Sequence, residues 1–134
     1  MTHWALAYIG KPFAFDAAGP DAFDCWGLVR AVYLAQRGIS LPPAGIANGD
    51  IATTMRGFRD HPERAKWISV ERPQEFDAVL MAQAKHPIHV GLWVAGGLHG
   101  RVLHATERGG VVAHDVAALA TQGYAVRGYF RHAG

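Results

Sequence analysis

A chain of 134 residues, half of them apolar and 18% charged, is long enough for one domain with its own core and too apolar for disorder. Its net charge of +2 comes from scattered side chains and excludes a nucleic-acid footprint, although eight histidines would add positive charge in mild acid. One cysteine excludes an internal disulfide framework and the usual zinc-finger spacings, so stability must come from packing.

In chain order, residues 1–10 lack the basic stretch and long apolar run of a secretory signal, and no apolar segment approaches the length of a membrane span. The expectation is a chain made in the cytosol, with no signal peptide and no membrane span. Thr2 is placed to cap a short helix running to Tyr8, stopped by Gly10 and Pro12. The loop that follows carries Phe13 and Phe15, which suit a wall beside the next element as well as they suit ordinary packing.

That next element opens with Phe23-Asp24-Cys25-Trp26-Gly27. Asp24 is a good N-cap, and Leu28, Val29, Val32 and Ala35 recur at the spacing of one buried helical face that also holds Cys25. The helix is predicted over residues 25–37, ended by Gly38 and by Leu41-Pro42-Pro43. A thiol in a first turn feels the positive end of the helix dipole, which predicts a lowered pKa and a nucleophile. Taken alone, a free cysteine is more often a small buried hydrophobe.

Residues 44–73 carry no motif; they predict a helix over 50–58 and a charged turn over 60–66. Short β-prone runs then follow at 66–70, 76–82, 89–94, 101–106, 110–113 and 124–130, separated by Gly, Pro or polar turns. Helices first and strands second predict a single α+β domain over residues 1–134, its N-terminal helices packed on one face of a mostly antiparallel sheet.

Two of these strands carry histidines. Period-two alternation puts His89, Gly91 and Trp93 on one face, and His104 shares a face with Val102. If Val94 pairs with Arg101, His104 lies opposite Gly91, with His89 diagonally beside it; a slip of one residue would separate them. A lone strand histidine is more often structural than catalytic, but a thiol, an imidazole to take its proton and a second polar residue to orient that ring make up a set for acyl transfer through a thioester. A metal site from His86, His89, His99 and His104 with Cys25 is the weaker chemistry. His86 and His89 point to opposite faces of a strand, and His99 sits at a loop tip.

The pairs Asp24-Cys25, His89-Val90-Gly91 and His104-Ala105, in that order and spacing, resemble the NlpC family of papain-like cell-wall cysteine peptidases, and among these the short bacteriophage tail assembly members. The similarity runs from Gly10-Lys11-Pro12-Phe13 to Phe130-Arg131. The resemblance implies a papain-like NlpC-type fold and cleavage of the γ-D-glutamyl–diaminopimelate bond in peptidoglycan stem peptides, without metal or cofactor. It implies Cys25 as nucleophile, His89 as general base and then acid, His104 as the residue orienting His89, and Asp24 as a holder of the substrate's amino end. It further implies carriage in a phage or prophage tail, with other tail proteins as partners. Two positions depart from the family pattern: Phe13 stands where a substrate-contacting tyrosine is usual, and Trp26 where a serine is usual. Both lose a hydroxyl in the substrate-binding region. A tail-tip component acting by protein interaction and a thioester-using acyltransferase stay open as alternatives.

Overall fold

A computed structural model describes residues 3–42, 66–83, 86–96 and 100–134. A 3-10 turn at Trp4–Ala7 comes first. Its cap is His3, whose Nδ1 accepts from the Ala5 N–H at 3.1 Å; the predicted cap, Thr2, lies outside the described residues, as do the predicted helix at 50–58 and nearly all of the charged turn.

Helix α1 spans Cys25–Val32 and runs into a π-helical turn at Tyr33–Arg37, ended by Gly38 at φ 66°. The predicted end of the helix is therefore met, but its last turn is wider than expected. Widening changes the phase of the buried face. Tyr33 becomes fully buried, and Ala35, predicted on that face, is exposed. The Tyr33 hydroxyl donates to the Phe76 carbonyl at 2.5 Å, tying the helix to the segment that enters the sheet.

Six strands follow: β1 (Trp67–Val70), β2 (Ala78–Gln83), β3 (His86–Val94), β4 (Arg101–Thr106), β5 (Gly110–His114) and β6 (Tyr124–His132). They form one sheet in the order β1-β6-β2-β3-β4-β5, and each of these strand pairs is antiparallel. The C-terminal strand is inserted between β1 and β2. A bidentate pair fixes it there: Arg131 Nε and Nη2 donate to Asp77 at 3.0 and 2.8 Å, with Asp77 buried at the start of β2.

Alternation along the strands makes two cores. On one face Leu28, Val29 and Val32 of α1 pack with Ala78, Val90, Leu92, Leu103, Ala105 and Val111. Burying each of these valines and leucines stabilises the fold by about 1.5–3 kcal/mol. The other face gathers Val79, Met81 and Val102 under Leu119, with Trp93, Tyr124, Val126 and Tyr129 around them. Leu119 belongs to a short helix, α2 (Val116–Thr121), capped by Asp115, whose Oδ1 accepts from the Ala118 N–H at 2.7 Å. The N-terminal helices thus share one face as predicted, and α2 adds a small cover to the other. No helix of the described residues is long and apolar enough to cross a membrane.

Candidate active site

α1 starts where it does because Asp24 holds its first turn. Oδ1 accepts from the Gly27 N–H at 2.5 Å, and the Asp24 carbonyl accepts from Leu28 at 3.0 Å. Oδ2 accepts from the Asp16 N–H at 2.9 Å, which clips the preceding loop against the helix. That approach requires Gly27: a Cβ there would lie 1.9 Å from the Ala17 carbonyl oxygen. Burial raises the Asp24 carboxyl above its ordinary pKa, although the two N–H bonds pull it down.

Cys25 follows at the first helical position, half-buried. The N–H groups of Val90, Trp26 and Cys25 itself favour its thiolate, but burial opposes them, Asp24 adds like-sign repulsion, and the thiol is pushed up to about 11. The expected lowering is thus overturned. Desolvation of the sulfur outweighs the N–H groups around it and favours the protonated thiol.

Val90 can reach the sulfur because the sheet opens there. The β3–β4 register runs through Val94↔Arg101, Trp93↔Val102 and Leu92↔Leu103, as the sequence predicts. At the next step Gly91 lies against β4 so closely that a Cβ on it would meet the Leu103 carbonyl oxygen at 2.8 Å and His104 Cβ at 3.0 Å. Beyond this point β3 continues along β2 and β4 along β5, with Met81↔His89 on one side and His104↔Val112 on the other. The first turn of α1 packs over this fork.

The two histidines meet across it. His89 Nε2 lies 2.8 Å from His104 Nδ1. His104 is fully buried, and its Nε2 lies 3.0 Å from Nδ1 of His114, at the end of β5. Burial, then the neighbouring His89 and His114, lower the His104 pKa to about 3, so this ring is neutral at ordinary pH. Tyr124 covers the pair, stacked on His89 at 4.9 Å between ring centroids and edge-on to His104 at 5.1 Å. Its hydroxyl pKa is raised, first by burial and then by the charge that Cys25 would carry. The imidazoles bond in series rather than converging on one point. Among the described residues no three His, Cys, Asp or Glu side chains gather in a way that could hold a metal ion, and His99 lies outside them.

The structure therefore brings Cys25, beside Asp24, to Val90, the residue after His89, and brings His89 to His104. Phe13 is close by backbone: it bridges to Phe23, two residues before the cysteine, and its ring meets Phe15 edge-on at 5.1 Å. Trp26 has contacts of its own on the other side of the turn, where Nε1 donates to the Pro42 carbonyl at 2.9 Å and the ring lies 6.5 Å from that of Trp67. Sequence reasoning missed His114, Tyr124 and α2.

Residues 10–128 match the NlpC/P60 family. A probable endopeptidase p60 from Listeria grayi is 31% identical over 93 residues, which are 69% of this chain and 16% of that protein. Protein P54 from Enterococcus faecium is 28% identical over 105 residues, 78% of this chain and 17% of its own. This chain thus spans about a sixth of the length of these curated relatives. The solved NlpC/p60 domain of the peptidoglycan hydrolase SagA superposes with a TM-score of 0.60 over 95% of this chain and 92% of that one at 23% identity, a likeness of fold. With the family pattern covering most of its length, the chain belongs to the NlpC/P60 family.

Proposed function

We propose that the protein is a cysteine peptidase that hydrolyses peptidoglycan stem peptides at a γ-D-glutamyl–diaminopimelate type of bond, through a thioester on Cys25. One observation carries this reading: Cys25 at the start of α1 meets Val90 of β3, and the residue before Val90, His89, is hydrogen-bonded to His104. Since His89 engages His104 through Nε2, the thiol proton goes to Nδ1. Because the thiol rests protonated, that transfer accompanies the attack of Sγ on the scissile carbonyl carbon.

The Gly27 and Leu28 N–H groups are taken up by Asp24, whereas those of Cys25 and Trp26 lie by the sulfur, and the Cys25 N–H serves as an oxyanion donor. His89 returns its proton to the departing amine. Water then attacks the thioester, giving its proton to His89 as the acyl group leaves Sγ, and His89 passes that proton on to the thiolate to restore the thiol. His104 orients His89 and accepts from its Nε2–H in both charge states. No step calls on a metal or cofactor.

Asp24, Phe13 and Trp26 belong to the substrate end of the site in this proposal. Asp24 holds the peptide's free amino group with the lone pairs its two N–H bonds leave over, and the apolar Phe13 makes the pocket more permissive than a hydrogen-bonding tyrosine would. Trp26 acts indirectly, by fixing the helix start against Pro42 and Trp67. The tryptophan in that position also supports a place in a phage or prophage tail, beside other tail proteins. The test is incubation with synthetic L-Ala-γ-D-Glu-diaminopimelate with and without added glycine, followed by mass analysis. Free dipeptide and diaminopimelate are expected. A glycine adduct as the main product would make the enzyme an acyltransferase, and intact tripeptide at high enzyme concentration would overturn the reading.

A further inference from the structure

The hydrogen bonds that orient His89 do not end at His104. His104 is buried with both ring nitrogens engaged, Nδ1 by His89 and Nε2 by His114. A neutral imidazole has one N–H and one lone pair, so one bond must be donated and the other accepted. The three rings therefore have two self-consistent arrangements. In the outward one His89 Nε2–H donates to His104 Nδ1, and His104 Nε2–H donates to His114 Nδ1. In the inward one His114 Nδ1–H donates to His104 Nε2, and His104 Nδ1–H donates to His89 Nε2, which leaves the His89 proton on its Nδ1.

Only the outward arrangement gives His89 an Nδ1 that can take the thiol proton. We propose that His114 is a positioning residue that sets this direction: with a bare Nδ1 it holds the relay outward and His89 basic, and with a proton on Nδ1 it reverses the relay and silences His89. The proposal rests on the hydrolase reading above and adds the residue that controls its base.

Geometry favours His114 as the end where the direction is chosen. His104 has no exposure, whereas His114 is only half-buried, at the C-terminal end of β5 opposite Val102. The titratable groups around it are His104 from β4, with His89 of β3 behind it. Tyr124 from β6 lies against both of those rings. Asp115, next in the chain at the start of α2, has its carboxylate turned to the Ala118 N–H. Within this set only a second imidazole or an added proton can reverse the relay, because Tyr124 meets the rings by its face and edge.

The test has a spectroscopic and a kinetic arm. In 15N-histidine-labelled protein near neutral pH, the two-bond 1H–15N pattern should show His104 as the Nε2–H tautomer in the wild type and in His114→Asn, whose side-chain oxygen can still accept. His114→Lys, which can only donate, should switch it to Nδ1–H. With the tripeptide substrate, His114→Asn should keep kcat within about threefold. His114→Lys should lose kcat by about 10²-fold, the scale of a general base, with KM unchanged. An Nδ1–H tautomer in the wild type, or an Nε2–H tautomer and full kcat retained in His114→Lys, would overturn the proposal. The tautomer measurement needs no substrate, so it decides the matter even if the hydrolase reading fails.

Discussion

Acid should unfold this protein through His104. The unfolded chain binds a proton on this imidazole below about pH 6.5, while the folded protein resists doing so until about pH 3. Over that window the unfolded state gains protons that the folded state does not, so stability falls as pH falls; above it the contribution is constant. At 1.36 kcal/mol per pH unit of difference, the loss from this one group is about 2 kcal/mol by pH 5 and about 3 kcal/mol by pH 4. Against a typical total of about 5–15 kcal/mol, that is a large fraction. Urea unfolding at pH 7.5, 6, 5 and 4 would measure it in the wild type and in His104→Asn, which keeps a polar side chain that does not titrate. His104→Asn should start lower, because it breaks two ring bonds, and should then fall less steeply, closing the gap by about 2 kcal/mol at pH 5. Parallel curves would show instead that the ring takes up its proton in the folded protein as readily as in the unfolded chain.

Three further outcomes are expected. Iodoacetamide should label one site, Cys25, with a labelling-versus-pH midpoint above the free-thiol value of about 8.5, since burial outweighs the helix field; a midpoint below it would show that the resting group is a thiolate. His89→Ala should lower turnover of the stem peptide by about 10²–10⁴-fold and His104→Ala by less, as measured by kcat at saturating substrate, and full activity in both would remove the triad. Gly91→Ala should push β3 from β4, because its Cβ has only 2.8 Å to the Leu103 carbonyl oxygen, so it should destabilise by about 1–3 kcal/mol in urea unfolding and lower turnover together. Loss of stability with unchanged turnover would mean the fork is not held by that contact.

The site was legible in the sequence to the extent that local rules fix it. Asp24 caps, Gly38 stops, and the pairing of Val94 with Arg101 carries His104 to Gly91 and His89 beside it, so one correct hairpin register delivered the two imidazoles. The same register reasoning on the next hairpin, Thr106↔Gly110, places His114 opposite Val102 and diagonal to His104. That placement follows from local pairing alone. Tyr124 was not reachable in this way, because it meets His89 only through the insertion of β6 beside β2, a long-range choice tied to the Arg131–Asp77 pair. The thiol's protonation state also escaped local reasoning. A first-turn position can be read from the sequence, whereas the desolvation that overrides it comes from packing α1 over the fork. The π-helical turn that buries Tyr33 in place of Ala35 is set by the same packing, with the Tyr33 hydroxyl on Phe76.

Digestion of purified peptidoglycan sacculi shows whether Cys25 cuts cell-wall peptide. Wild-type protein and Cys25→Ala, each confirmed as folded, would be incubated with sacculi and the released fragments identified by mass. The expected result is fragments ending in the newly freed γ-D-glutamyl carboxylate and diaminopimelate amine, present with the wild type and absent with Cys25→Ala. Equal release by both proteins, or no release by either at high enzyme concentration, would contradict it.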